Sequence, residues 1–340
     1  MSKKLNIAII GLGRAGRFHL SSLNQLDSCN LKYVVDPNLS TSSEVVTQNK
    51  FILLKDIEPV LEDPEIDAVI ISTPTQSHFK YICNSLEAGK HVFTEKPLGK
   101  ASENIITCFE LAQKNNLALF LGFQRRYDKN FIELKNNISG IGQVRTIKMS
   151  SRDNPKPSLD YLKVSGNIFH DMLIHDFDML QFLLGYKIPS SVFTLGHTYD
   201  PEIKKLDDFD TVLVTLKYPD GLICSIDTSR TAVYGYDQRV ELFAENGMAI
   251  AENERNNTVE IHTKKGVFRN PINFSFPQRY KEAYKKEISD FVTGILNGEL
   301  VNVPKNECLL GHLIADAAYD SCVSNSVINF EEKYVSILNS

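Results

Sequence analysis

Two residues that could move a proton lie four positions apart in the second half of the chain. Asp171 and His175 belong to segment 171–178, whose apolar pattern predicts an amphipathic helix with both side chains on one face. A carboxylate can fix the tautomer of an imidazole, and an imidazole ordinarily titrates near pH ~6.5, so the pair suits general-base chemistry. A structural helix pair or an N-terminal cap is the alternative, and the spacing taken alone favours it.

A lysine that could act on an oxygen atom lies in the first half of the chain. Lys96 belongs to Thr94-Glu95-Lys96-Pro97-Leu98-Gly99, directly after the apolar run 91–94. At the carboxyl edge of a parallel sheet, a lysine can donate hydrogen bonds to a hydroxyl or carbonyl, and its charge stabilises a developing alkoxide. A solvated Glu–Lys pair before a turn proline explains this segment equally well.

A glycine-rich turn near the start of the chain predicts a dinucleotide site. Gly11-Leu12-Gly13-Arg14-Ala15-Gly16 follows the apolar run 5–10 and opens a helical pattern. In this arrangement the glycines permit a tight turn, a close approach of the backbone to a pyrophosphate, and close helix–strand packing. The helix N-terminus then offers N–H groups and a positive dipole end to the phosphates.

Asp36 indicates which dinucleotide the turn would bind. It lies at the end of the second predicted strand, where a carboxylate can accept hydrogen bonds from ribose hydroxyls and repel a 2′-phosphate. No arginine adjoins it, because Pro37 and Asn38 follow. NAD is therefore favoured over NADP. His78, which follows another apolar run, is expected near the cofactor.

The predicted helices and strands that must position these residues follow two different patterns, one in each part of the chain. Up to about residue 123, short apolar runs at 5–10, 31–36, 67–72, 91–94 and 117–122 alternate with helical patterns at 14–26, 75–88 and 103–115. Buried parallel strands read as such continuous apolar runs. The alternation predicts a Rossmann-type, doubly wound parallel sheet in an NAD-binding domain over residues 1–123.

The remainder, 124–340, predicts an α+β domain with a large, open and mostly antiparallel sheet. Strand patterns occur at 144–150, 192–195, 211–218, 222–228 and 239–244, and Pro219-Asp220-Gly221 predicts a hairpin turn. In segment 211–218 one face is apolar and the other is half polar. Helices are expected near 280–297 and 305–325, and a late segment is expected to pack back on the first domain.

Composition and charge exclude several classes of protein. The 340 residues are 42% hydrophobic and 23% charged, as in ordinary globular chains. A net charge of −5 argues against nucleic acid and against an anionic membrane surface as partners. No apolar stretch approaches the roughly 18 residues of a membrane span. The six cysteines form no CxxC pair, so we expect no metal site and a reducing, cytoplasmic location.

Taken together, the motifs resemble the Gfo/Idh/MocA family of NAD(P)-dependent oxidoreductases. The resemblance rests on Gly11–Gly16, Asp36, the segment 72–78, the 95–99 block and the Asp171-x-x-x-His175 helix, and it runs through most of the chain. Within that family, five further segments are similar to the inositol 2-dehydrogenase subgroup. They are 123–128, 151–153, 161–166, 169–179 and 234–237.

The resemblance implies roles for individual residues. Lys96, Asp171 and His175 would be the catalytic set, and Arg126 and Tyr234 would help to bind a small neutral polyol. It also implies a homo-oligomer, a tetramer or a dimer, formed through the C-terminal sheet, and no metal. The cofactor-binding residues would be Gly11, Leu12, Gly13, Arg14, Ala15, Gly16, Asp36, Thr73, Pro74, His78, Glu95 and Lys96.

The activity implied is NAD-dependent oxidation of a secondary hydroxyl of a cyclic polyol, with myo-inositol giving 2-keto-myo-inositol as the first choice. Two alternatives stay open: a dehydrogenase or reductase of the same family acting on another inositol isomer or an aldose, and a non-catalytic NAD-sensing regulator. The complete catalytic set disfavours the regulator. Asn167, His170 and Leu173 depart from the family pattern and leave the choice of substrate open.

Overall fold

The computed structural model describes residues 4–38 and 50–338, and the chain forms two compact units. The first unit comprises residues 1–127 and 282–309, and the second comprises 128–281 and 310–340. The boundary expected after residue 123 lies close to the observed one at 127. The late segment that joins the first unit is 282–309.

The first unit contains a six-stranded sheet in which every described pair of neighbours is parallel. The strand order β3-β2-β1-β4-β5-β6 reverses direction between β1 and β4, and ligands of such sheets bind at the carboxyl ends near this point. The prediction of a Rossmann-type sheet is confirmed. The strands are β1 (Leu5–Ile10), β2 (Cys29–Val35), β3 (Ile52–Leu54), β4 (Ala68–Ile71), β5 (His91–Glu95) and β6 (Leu119–Gly122).

The late segment joins the first unit because its helix Lys281–Asn297 carries an apolar stripe. Phe291 of this helix lies edge-on against Phe93 of β5 and Phe120 of β6, with ring centroids 5.7 and 5.4 Å apart. All three rings are essentially buried in one cluster with the strand side chains. The other helices of this unit are Arg14–Leu23, Glu58–Glu62, Thr75–Glu87 and Ser102–Lys114, followed by the 3-10 turn Gln124–Tyr127.

The second unit is built on a seven-stranded mixed sheet with the order β12-β11-β7-β10-β9-β8-β15. Its one parallel pair among the described strands is β7 with β10, and the other neighbours are antiparallel. The strands are β7 (Val144–Arg152), β8 (Ser191–His197), β9 (Thr211–Lys217), β10 (Ile223–Ser229), β11 (Asp237–Ala244), β12 (Gly247–Ala251) and β15 (Ile328–Asn329); β13 (Glu260–Thr263) and β14 (Gly266–Arg269) form a separate hairpin.

The helices of the second unit vary widely in length. They are Lys129–Asn137, Leu159–Ser165, Ile174–Leu184, Pro201–Lys204, Phe276–Arg279, the greater part of Lys305–Ser324, and Phe330–Leu338, with a 3-10 turn at Ile138–Ile141. Among the described residues, no helix in either unit combines the length and the hydropathy that a bilayer crossing requires.

The alternation predicted for segment 211–218 is confirmed. Val212, Val214 and Leu216 are buried, whereas Leu213 is half exposed on the other face. The turn between β9 and β10 closes with a hydrogen bond from Tyr218 N to Leu222 O of 2.9 Å, and Gly221 adopts the positive φ that the turn requires.

Strand register places six exposed apolar side chains on the face of the sheet that carries Leu213. We call it the open sheet face. Each side chain is 44–53% exposed. The residues are Leu195, Leu213, Ile223, Phe243, Met248 and Ile250.

One predicted helix is wrong in its first turn. The segment expected to begin an α-helix at Asp171 is instead π-helical over Phe169–Leu173, and the α-helix begins at Ile174. The Asn167 side chain accepts hydrogen bonds from the backbone N–H groups of Phe169 and His170 and so organises this turn. Most other predicted boundaries differ from the observed ones by one to three residues, as at helix 14–26, which ends at Leu23.

Candidate active site

The glycine turn after β1 has the shape that a pyrophosphate requires. Gly11 has φ +92°, and a Cβ there would lie 2.8 Å from Ser72 O; a Cβ on Gly16 would lie 2.1 Å from Gly11 O. At Gly13 no atom lies within 4 Å of such a Cβ, so a side chain there would fill open space above the turn. No described side chain caps helix Arg14–Leu23, so its first N–H groups face this space. The turn therefore fits a dinucleotide phosphate.

Asp36 is fixed beside that turn. Its Oδ2 accepts a hydrogen bond from Leu12 N at 2.8 Å, and its Oδ1 accepts one from Asn38 N at 2.9 Å. Each carboxylate oxygen has a further lone pair, which a ribose hydroxyl can use. The structure thus brings together the glycine turn and the acidic residue, as the sequence predicts.

His78 supports the loops that follow β4 and β5. Its ring is buried, with Nδ1 2.7 Å from Pro97 O and Nε2 2.7 Å from Thr73 O. Burial lowers the pKa of His78, whereas the hydrogen bonds to the two carbonyl oxygens act in the opposite direction. These two contacts position the Thr73–Pro74 loop and the half-buried Lys96 segment.

A buried acid cluster lies directly beside Lys96, and the sequence analysis missed it. His19 Nε2 is 2.8 Å from Glu95 Oε1, and the fully buried Glu287 offers its carboxyl group to the same cluster. Neither carboxyl oxygen of Glu287 has a hydrogen-bond partner among the described residues. Burial, and then the charge of Glu95, raise the pKa of Glu287 well above its usual range. The folded structure therefore favours the neutral form of Glu287.

Arg126 lies in an ion pair within the first unit. Its Nη2 is 2.8 Å from Glu307 Oε2, and both side chains are mostly buried. The Glu307 carboxylate therefore balances the charge of the guanidinium.

Asp171, in the second unit, is anchored by residues that the sequence analysis also missed. Its Oδ1 accepts a hydrogen bond from Tyr161 Oη at 2.6 Å, and its Oδ2 accepts one from Arg230 Nη1 at 3.2 Å. Arg230 is fully buried and also donates to Asp208 Oδ2 at 2.6 Å. Burial opposes the charge of Arg230, but the two carboxylates outweigh it and raise the pKa of Arg230. Asp171 is therefore held as a carboxylate.

His175 lies in the first turn of helix Ile174–Leu184 and is half buried. The four-residue spacing from Asp171 thus crosses the junction between the π turn and the α-helix. No local pattern of residues distinguishes this junction from a continuous α-helix, which explains the error in the sequence prediction.

Tyr234 belongs to a charged cluster at the start of β11. Its hydroxyl donates to Asp237 Oδ2 at 2.6 Å and accepts from Arg152 Nη1 at 2.7 Å. Burial and the hydrogen bond to Asp237 raise the pKa of Tyr234, so it is a neutral phenol. Half of its surface stays exposed, which leaves it accessible to a ligand.

Family models match both halves of the chain. Residues 5–123 match the model of an oxidoreductase family with an NAD-binding Rossmann fold, and residues 138–250 match the GFO/IDH/MocA C-terminal domain. The residues that form the glycine turn, the Asp36 contact and the Lys96 loop all lie in the first match.

Relatives and solved structures resemble the chain over nearly its whole length. It is 36% identical over 334 residues to the myo-inositol 2-dehydrogenase of Thermotoga maritima, covering 96% of this chain and 99% of that one. It is 35% identical over 327 residues to the inositol 2-dehydrogenase of Rhizobium meliloti, with the same coverages. A Lactobacillus casei scyllo-inositol dehydrogenase, crystallised with NAD(H) and scyllo-inositol, has a TM-score of 0.88 at 27% identity and covers 96% of this chain and 99% of that one.

The raised pKa of Glu287 predicts how stability varies with pH. The unfolded carboxyl ionises above pH ~4.3, whereas burial raises the pKa of the folded one, so folding stability falls as the pH rises from ~4.3 towards the folded pKa. Glu287→Gln cannot ionise and removes this loss. We expect the variant to match the wild type near pH 4–5 and to exceed it increasingly towards about pH 8.

Urea unfolding at a series of pH values measures the difference. Glu282→Gln, on the exposed side of the same helix, is the matched control and should show no such divergence. A Glu287→Gln variant less stable than the wild type at about pH 8 would mean that folded Glu287 is ionised.

Proposed function

The chain belongs to the GFO/IDH/MocA oxidoreductase family, and on that premise we propose that it oxidises one secondary hydroxyl of an inositol to a ketone with NAD⁺. The anchoring of Asp171 as a carboxylate one helical turn before His175 carries the proposed chemistry. The relatives named as inositol dehydrogenases support the substrate class. Myo-inositol, oxidised to 2-keto-myo-inositol, is our first choice; another isomer, such as the scyllo-inositol of the L. casei structure, or an aldose is the alternative.

In this reaction the substrate loses a hydride and a proton. Bound NAD⁺ supplies the acceptor for the hydride that leaves the carbinol carbon. The hydroxyl proton must leave as well, because otherwise a protonated ketone forms. We assign this proton to His175, since an imidazole ordinarily titrates near ~6.5 and a lysine only near ~10.4. Lys96 then donates a hydrogen bond to the substrate oxygen and favours its partial negative charge.

Asp171 assists by orienting His175 and stabilising the imidazolium. Asp171 and Asp208 share the single positive charge of Arg230, so the three groups together carry one net negative charge. That charge favours a proton on a neighbouring imidazole. The Tyr161 hydroxyl and Arg230 each donate to one Asp171 oxygen, and these two hydrogen bonds fix the carboxylate that we propose orients the imidazole.

A neutral polyol also suits the residues that the resemblance assigns to substrate binding. The charge of Arg126 is balanced by Glu307, and the Tyr234 hydroxyl is a neutral phenol. Such groups donate and accept hydrogen bonds without requiring a charged partner. We propose that both contact hydroxyls of the substrate.

We further propose a cytoplasmic homo-oligomer, a tetramer or a dimer, that assembles through the open sheet face. The open sheet face exposes six apolar side chains in one layer, and an isologous contact between two copies would cover them. All six cysteines are free thiols, as a reducing compartment maintains them.

His175→Ala tests the assignment of the base. We expect kcat for inositol oxidation to fall about 10²–10⁴-fold, the usual size of a general-base contribution. The affinity for NAD⁺ should barely change, since its contacts are assigned to the first unit. The neutral limb of the pH–rate profile should disappear. Steady-state formation of NADH and fluorescence titration with NADH measure the two quantities.

His262→Ala, at an exposed histidine of β13, is the matched control and should keep wild-type kinetics. If His175→Ala kept near-normal kcat and the same pH limb, Lys96 would have to be the base, and the division of roles proposed here would be wrong.

Leu213→Lys tests the assembly. A lysine in the centre of the open sheet face would bring like charges together across an isologous contact, so the variant should dissociate towards a chain of 38.4 kDa. Light scattering after gel filtration measures the mass. Leu296→Lys, at a comparably exposed leucine outside that face, should keep the wild-type mass. A wild type that is monomeric at micromolar concentration would contradict the proposal.

A further inference from the structure

Three potential metal ligands converge next to Asp171 in the second unit. His170 lies in the π turn immediately before Asp171, and His312 and Asp316 lie one turn apart on helix Lys305–Ser324. One ligand atom of each of the three lies within 4.8 Å of the other two. The proposed oxidation of inositol gives these three side chains no role.

Hydrogen bonding fixes the tautomer of His170. Asn167 Oδ1 accepts hydrogen bonds of 3.1 Å from the backbone N–H groups of Phe169 and His170, which identifies that atom as the amide oxygen. His170 Nδ1 lies 2.9 Å from the same oxygen. An amide oxygen can only accept, so Nδ1 carries a hydrogen, and a neutral ring then has a bare lone pair on Nε2.

That lone pair faces another acceptor. His170 Nε2 is 2.9 Å from Asp316 Oδ1, and a carboxylate oxygen also has only lone pairs to offer. Two acceptors at this distance require a shared proton or a metal ion between them. Ligand atoms about 2.0–2.2 Å from a common tetrahedral zinc ion are about 3.3–3.6 Å apart, so a movement of about half an ångström would let both atoms bind one ion.

The position of His312 favours the metal ion over the proton. Its ring is buried, its Nε2 is 3.7 Å from Asp316 Oδ2, and its centroid is 5.2 Å from that of His170. A proton on His170 links only His170 to Asp316 and repels any positive charge on the second imidazole. A metal ion uses both imidazoles and the carboxylate, and two histidines with one carboxylate form a common set of ligands for zinc-class ions.

Access and support also suit a metal site. The side chains of His170 and Asp316 are 19% and 35% exposed, so an ion can enter and a water molecule can occupy a fourth position. Asn167 has the role of the outer partner that typically holds a ligating imidazole in its tautomer.

We propose that His170, His312 and Asp316 bind one divalent transition-metal ion of the zinc class. The ion would link the π turn that carries Asp171 to helix Lys305–Ser324. The sequence analysis expects no metal because it searched for local spacing, whereas His170 and Asp316 are 146 positions apart.

Calorimetric titration of the full chain with Zn²⁺, after treatment with EDTA and without substrate or cofactor, tests the site. We expect one equivalent per chain to bind, and Co²⁺ in its place to give visible ligand-field bands. Asp316→Asn, nearly identical in shape, and His312→Gln should each weaken binding by more than about 100-fold, and Asn167→Ala by about 10–100-fold. His262→Ala, at an exposed histidine in another hairpin, should bind as the wild type does.

Circular dichroism of each variant shows whether it folds, and Asp316→Asn, at a partly exposed position, keeps the test valid if His312→Gln does not fold. Absence of stoichiometric Zn²⁺ binding would overturn the proposal, as would equal binding by the wild type and Asp316→Asn. Because binding is measured without turnover, the result is independent of the identity of the polyol.

Discussion

The arrangement of the second unit depends on the burial of Arg230. A guanidinium without solvent is strongly unfavourable unless carboxylates and hydrogen bonds surround it, and Asp171 and Asp208 provide them. Asp208 also accepts the backbone N–H of Ile168, so the same ion cluster holds the start of the π turn. Removing one partner of such a cluster typically costs about 3–5 kcal/mol, because a buried charge is left uncompensated. The position of Asp171, and with it the proposed support of His175, follows from this requirement.

The first unit depends on a different constraint, which is the space available around the glycine turn. Three glycines allow the turn after β1 to approach Ser72 and the helix to approach the turn, while leaving room above Gly13 for a phosphate. The core of this unit also contains Glu287, whose pKa is raised by burial and by the charge of Glu95 in the neighbouring His19–Glu95 pair. The first unit thus provides space for the dinucleotide, and the second unit provides a buried ion cluster that holds Asp171. The proposed oxidation requires both features.

The sequence predicted the features that depend on neighbouring residues. Apolar runs predicted the strands, and the glycine spacing together with Asp36 predicted the dinucleotide turn. The hairpin was predicted from Pro219-Asp220-Gly221. The sequence analysis missed Arg230, Glu287 and the His170 cluster, because each depends on contacts between residues far apart in the chain. It also missed the π turn, because the hydrogen bonds that Asn167 makes there are not visible as a periodic pattern. The six exposed residues of the open sheet face emerge only once strand pairing is known.

The most direct measurement of the central claim is the path of one hydrogen atom. The enzyme is incubated with NAD⁺ and myo-inositol deuterated at the carbon that becomes the ketone, and the NADH formed is analysed by proton NMR. The account predicts NADH carrying the deuterium at C4 of the nicotinamide ring, produced more slowly than from unlabelled inositol. No NADH from any inositol isomer, or NADH without deuterium while the labelled inositol is consumed, would contradict it.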